Sequence, residues 1–169
     1  MHKNRIVAAV MCCLSGLSSP LAVGSEIKMA TRAVLTRYEH TAFALMKQSY
    51  RHYLSLHGRC QESEQETECE QSFTQAKIHY MATKANWDVM QLLEQANSYQ
   101  LALSPSVYPS LGHALNELGY QVKTDHVSER ALLSAIADWS EDHGVPETDR
   151  VFLLHWVLIQ TDWYALRVD

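Results

Sequence analysis

Residues Val151 to Ile159 read VFLLHWVLI, a nine-residue run in which His155 is the one polar position. A helix that is apolar on every side is normally buried. The run is too short for a membrane span, which needs about 20 apolar residues. Thr161, Asp162 and Arg167 then return the chain to water. Glu147 to about Leu166 is therefore predicted as the central helix of a soluble helical domain, and the remaining segments are predicted to cover it.

Immediately upstream, Gly144, Val145 and Pro146 close one helix and open the next, with Pro146 at a first-turn position. The preceding helix buries Leu132, Ala135, Ile136 and Trp139 and is capped by Thr124 or Asp125. Before it, Tyr120 to Lys123 reads as briefly extended. Leu111, Ala114, Leu115 and Leu118 mark a short amphipathic helix ended by Gly119. The stretch Ser104-Pro105-Ser106-Val107-Tyr108-Pro109 breaks the helical pattern.

Two long helices precede these elements. Ile27 to about His57 carries Ile27, Val34, Tyr38, Leu45, Ser49 and Leu56 on one side, with Gly58 at its end. Glu70 to about Leu101 repeats Phe73, Tyr80 and Trp87 every seven residues. A second side holds Ile78, Ala82, Ala85, Val89, Leu92 and Ala96. Two apolar sides predict a helix sandwiched between neighbours. The fold class is thus all-α: a single-domain helical bundle of about five helices, opening with a long helical hairpin. Short turns favour antiparallel neighbours.

The N-terminus addresses compartment. Lys3 and Arg5 form a basic head, Ile6 to Leu17 is apolar, and Ala22-Val23-Gly24 supplies small residues. That order describes a secretory signal peptide over 1–24, cleaved before Ser25. Cys12 and Cys13 follow Val10-Met11, whereas a lipidated cysteine follows a small residue, so a lipoprotein is disfavoured. Cleavage leaves 145 of the 169 residues, 25–169, as one all-α domain able to bury its own core. It also removes two cations and no acid, taking the net charge from −5 to −7. An acidic exported chain without a membrane span fits the periplasm or the extracellular space and is poorly suited to nucleic acid.

Cys60 and Cys69 remain after cleavage. In an oxidising compartment, two cysteines nine residues apart at a helix–helix turn predict a disulfide that staples the hairpin. The glutamates between them lack the aspartate, asparagine and glycine pattern of a calcium loop. No CxxC or CxxCH occurs, and His-x-x-x-His is missing too. We therefore assign neither a metal site nor a cofactor. His113 with Glu117 reads as a surface pair, and His126 as a helix-start residue. Asp138, Glu141 and Asp142 read as a solvated face. Serine-nucleophile and phosphate-loop motifs do not occur.

Two sites stand out. On the first long helix, His40, Lys47 and Arg51 lie opposite the core stripe, with Arg37 at the edge and Phe43 and Leu54 among them. Residues 25–59 hold six basic and two acidic residues, against six and 17 in the rest of the mature chain. This stripe either packs on the chain's own acidic helices or receives a protein partner. The second site is His155 with Trp156 and Trp163, the polar and aromatic members of the central helix. His155 and Asp162 are about 10 Å apart along that helix, too far for direct contact, so a buried, structural histidine is expected. The expected function is an exported, non-enzymatic protein that binds another protein, as an inhibitor, immunity-type protein or accessory subunit. The alternative is a small enzyme or ligand carrier with an interhelical pocket near His155, Trp156 and Trp163.

Overall fold

The computed structural model describes residues 20–61, 66–96, 98–123 and 127–167, with side chains from Arg32 onward except at Gln61 and residues 66–68. Among the described residues are five α-helices: α1 (Pro20–Gln61), α2 (Glu66–Ala96), α3 (Tyr108–Glu117), α4 (Glu129–His143) and α5 (Leu153–Ala165). A 3-10 turn over Pro105–Val107 leads into α3. Among the described residues no helix is long and apolar enough to cross a membrane. Most of the proposed signal segment, residues 1–19, lies outside the described residues; Pro20 to Gly24 form the start of α1.

Helix α5 is the buried centre. Val157, Leu158, Ile159, Gln160 and Thr161 are all buried in succession. Around them pack Leu35, Tyr38 and Ala42 of α1, Met90 and Leu93 of α2, Leu111 and Leu115 of α3, and Leu132, Ile136 and Trp139 of α4. Polar groups set the register of this core. Asn86 Nδ2 donates to Thr161 Oγ1 at 2.8 Å, and Thr161 Oγ1 donates to the Val157 carbonyl at 2.9 Å. Ser49 and Thr83 share a buried 2.7 Å hydrogen bond between α1 and α2. Unsatisfied buried groups are costly, so such pairs favour one alignment of the helices.

Cys60 and Cys69 are disulfide-bonded across the end of the α1–α2 hairpin, with Cα atoms 5.4 Å apart. Along the hairpin, Phe43 packs on Trp87, Tyr50 on Tyr80, and Tyr53 on both Tyr80 and Phe73. The heptad-spaced aromatics of α2 are therefore packing residues that meet matching rings of α1.

Several boundaries differ from expectation. The final helix starts at Leu153, not Glu147, because residues 151 and 152 are drawn into a backbone bridge. Leu103 N donates to the Val151 carbonyl (3.0 Å) and Leu153 N to the Leu101 carbonyl (2.8 Å), pairing Ala102 with Phe152 antiparallel. Pro146 consequently lies in a connection rather than a helical first turn. Helix α2 ends at Ala96 rather than Leu101, whose carbonyl instead accepts from Leu153 N beside the bridge. Helix α1 reaches back to Pro20, the first described residue, seven residues before Ile27. Thr124 and Asp125 lie outside the described residues. The cap of α4 is Ser128, whose hydroxyl accepts from Ala131 N at 3.3 Å. Tyr120 to Lys123 forms no strand. The Asn116 side chain takes both backbone groups of Val122, accepting from its N at 2.7 Å and donating to its O at 2.9 Å. Gly144 ends α4 with φ of +65°, a left-handed conformation that suits glycine.

The second apolar side of α2 is not sandwiched within this chain. Ala82 and Val89 are half-buried, but Ile78, Ala85, Leu92 and Ala96 are exposed. The core contacts of α2 come instead from Ala76, Thr83, Asn86, Met90 and Leu93.

Candidate functional site

The outer face of α1 carries the basic stripe. His40, Phe43, Lys47 and Arg51 are all exposed, as is Leu54. Helical geometry explains why they share this side: Tyr38, Ala42, Leu45 and Ser49 turn the opposite face into the core. Phe43 is 41% exposed. One edge of its ring rests on Trp87, with centroids 5.4 Å apart, and Lys47 Nζ stands 5.2 Å from its centroid. The ring is thus held in place by its own chain while part of its surface stays in water. Among the described residues, none of the ion pairs involves His40, Lys47 or Arg51.

Arg37 is exposed too, but its guanidinium is already engaged. Its Nη2 donates to the His143 carbonyl at 2.6 Å, and Cζ lies 5.1 Å from the Tyr38 ring centroid. A cation at the C-terminal carbonyls of α4 is favourably placed against the helix dipole. Arg37 therefore ties α1 to α4, and the free part of the stripe is His40, Phe43, Lys47 and Arg51.

Beneath Arg37 is a polar cluster that the sequence spacing does not show. Asp162 Oδ2 accepts from Tyr38 Oη (2.8 Å) and Trp139 Nε1 (2.9 Å), and it lies 3.3 Å from His143 Nε2. The other ring nitrogen of His143, Nδ1, is 2.8 Å from the Trp139 carbonyl. Burial, and then the adjacent Asp162 carboxylate, push the Tyr38 phenol well above its usual range. His143 and Asp162, with Tyr38 and Trp139, thus link α1, α4 and α5. The nearest sequence signal was Trp139 and His143 at i, i+4 before Gly144. Nothing local linked them to Tyr38 or Asp162.

His155 is 1% exposed and fully engaged. Its Nδ1 accepts from Phe152 N at 2.9 Å, leaving the proton on Nε2, which is 3.2 Å from Thr148 Oγ1. Thr148 Oγ1 donates in turn to the Arg150 carbonyl, so it accepts from the imidazole. Burial lowers the His155 pKa from 6.5 to about 4, which keeps the ring neutral near pH 7. Trp156 is half-buried beside it. Trp163, two turns further on, belongs to a different cluster. Its Nε1 donates to Glu117 Oε2 at 2.5 Å, and Arg167 stacks on it with Cζ 3.6 Å from the ring centroid. Arg167 also pairs with Glu117 at 2.6 Å, and His113 with Glu117 at 3.0 Å. The Trp163 and Arg167 hydrogen bonds hold the Glu117 carboxyl below its ordinary pKa.

An open cleft of about 580 Å³ lies between α1, α2 and the end of α5, with His52, Leu56, Gln75, His79 and Arg167 among its lining residues. His155, Trp156 and Trp163 do not line it. Burial, followed by His52 and Arg167, lowers the pKa of His79. Among the described residues no cluster of three or more His, Cys, Asp or Glu side chains could hold a metal ion.

No protein-family model, curated protein or solved structure matches this chain.

Proposed function

We propose that this chain is an exported, non-enzymatic helical protein that binds an acidic protein partner through the outer face of α1. The carrying observation is Phe43: an aromatic ring fixed on its own chain, partly open to water, and flanked by Lys47 and Arg51, which form no ion pair among the described residues. Cations steer an acidic partner and speed encounter, while a desolvated ring supplies an anchor that charge alone does not. The signal-like N-terminus and the Cys60–Cys69 bond support an oxidising destination, in the periplasm or outside the cell.

The rival reading, an enzyme or carrier using His155, Trp156 and Trp163, has less support. The nitrogens of His155 are occupied, and Trp163 sits in a separate cluster.

The test combines capture from periplasmic or culture-supernatant extract with the double reversal Lys47→Glu, Arg51→Glu. Exposed charges add little to stability, so the variant should melt like the parent. Binding should weaken, most clearly at low salt. An intact mass lacking residues 1–24 is expected for the exported protein. Unchanged partner binding by the double reversal would overturn the surface assignment, and a mass retaining those residues would overturn signal cleavage.

A further inference from the structure

The cleft between α1, α2 and the end of α5 reverses the charge of the chain around it. The sequence carries a net charge of −5. His52, His79 and Arg167 nevertheless line the cleft, and among the described residues no acidic side chain does. Each of these basic groups comes from a separate segment: His52 from α1, His79 from α2, and Arg167 from the turn after α5. Gln71, Ser72 and Gln75 of α2 add neutral hydrogen-bonding groups, while Leu56 and the buried Ala76 add apolar surface. The volume of about 580 Å³ is within the range of small-molecule sites.

Arg167 is held in position by its own chain. Its Cζ lies 3.6 Å from the Trp163 ring centroid, and its Nη2 donates to Glu117 Oε2 at 2.6 Å. Glu117 belongs to α3 and does not line the cleft. Among the described residues the Arg167 side chain donates through Nη2 alone, so Nε and Nη1 remain for a ligand. His79 is half-buried, and its ring meets Tyr164 edge-on with centroids 5.8 Å apart. Burial lowers the His79 pKa first, and the charges of His52 and Arg167 lower it further. The three groups therefore share one region of positive potential.

We infer that this cleft binds a small organic anion, whose carboxylate or phosphate group sits among His52, His79 and Arg167 and whose apolar body covers Leu56 and Ala76. Guanidinium and imidazolium groups give charge-assisted hydrogen bonds to such oxyanions. A bound anion also relieves the repulsion among the three basic groups, so binding and protonation of His79 favour each other. An inorganic anion satisfies the charge but leaves the apolar part of the cleft in water. The inference is independent of the α1 stripe, since His40, Phe43, Lys47 and Arg51 do not line the cleft.

The experiment follows the ring signals of His52 and His79 by NMR in the full disulfide-intact chain at low salt. The probes are phenylacetate and phenyl phosphate, compared with inorganic phosphate and neutral 2-phenylethanol. At least one of the two organic acids should shift both signals saturably, with Kd on the order of 1 mM, and should raise the pKa of His79. The tighter of the two identifies the acidic group. Inorganic phosphate should bind more weakly than the tighter acid, and 2-phenylethanol should not saturate. His52→Gln and Arg167→Gln should each weaken binding by about three-fold or more. His52 is exposed, so His52→Gln should melt like the parent. No saturable shift with either acid up to about 20 mM would overturn the inference. Binding of 2-phenylethanol or inorganic phosphate as tight as that of the organic acids would do so too, as would unchanged affinity in His52→Gln. If Arg167→Gln fails to fold, His52→Gln decides.

Discussion

Tyr38 Oη donates a 2.8 Å hydrogen bond to Asp162 Oδ2, joining residues 124 positions apart. Trp139 and His143 converge on the same carboxylate oxygen, so one acceptor connects α1, α4 and α5. Its removal should cost more than the loss of any one donor. Tyr38→Phe is expected to destabilise by about 1 kcal/mol, and Asp162→Ala by about 3 kcal/mol, since the latter leaves several donors unpaired. Denaturant unfolding at neutral pH gives both values. Equal costs would mean that the carboxylate does not organise the cluster.

The buried histidine should make stability fall as the solution is acidified. In the unfolded chain His155 titrates near 6.5; in the folded chain burial lowers its pKa to about 4. Above pH 6.5 both states hold it neutral and it adds no slope. Between 6.5 and 4 the unfolded chain binds a proton that the folded chain refuses, so folding weakens. The full loss, reached below pH 4, is about 3 kcal/mol. His155→Gln should be less stable at pH 7 because the fitted imidazole is gone. Its stability should also decline less steeply over the same interval. Parallel pH curves for parent and variant would refute this assignment.

Reducing the Cys60–Cys69 bond should lower stability without changing the fold. The two Cα atoms are 5.4 Å apart, inside the ordinary range for a disulfide. Closing so short a loop is worth about 2–3 kcal/mol in the chain-entropy model. The comparison is between the oxidised parent and Cys60→Ala, Cys69→Ala by thermal melting and far-UV circular dichroism. Loss of helical signal at low temperature would show that the bond is needed for folding itself.

The helical class and the order of the elements were legible because α1 and α2 are long and periodic, and because VFLLHWVLI has no exposed side. The heptad-spaced rings and the paired cysteines likewise fixed the hairpin. Helix ends were less legible, since they answer to distant partners. The start of α5 follows from backbone bonds to Leu101 and Leu103, which no local pattern at Glu147 or Pro146 announces. The stripe on α1 was visible from helical spacing, but the diversion of Arg37 to the end of α4 was not. The Asp162 cluster was hidden for the same reason: its members come from three separated segments, and within its own helix Asp162 has only His155 as a polar neighbour at helical spacing.

The bridge between Ala102 and Phe152 has a consequence for how the chain closes on itself. The segment from Leu103 to Val151 leaves and re-enters at one place, with two backbone hydrogen bonds across its neck. Topologically the molecule is two nested loops: an inner excursion carrying α3 and α4, and an outer one running from the hairpin to α5. The entropy of closing the inner loop depends on its own length, whatever the hairpin is doing. The long-range ties from Arg37 to His143 and from Tyr38 to Asp162 can then join two preformed objects rather than gather five helices from an open chain.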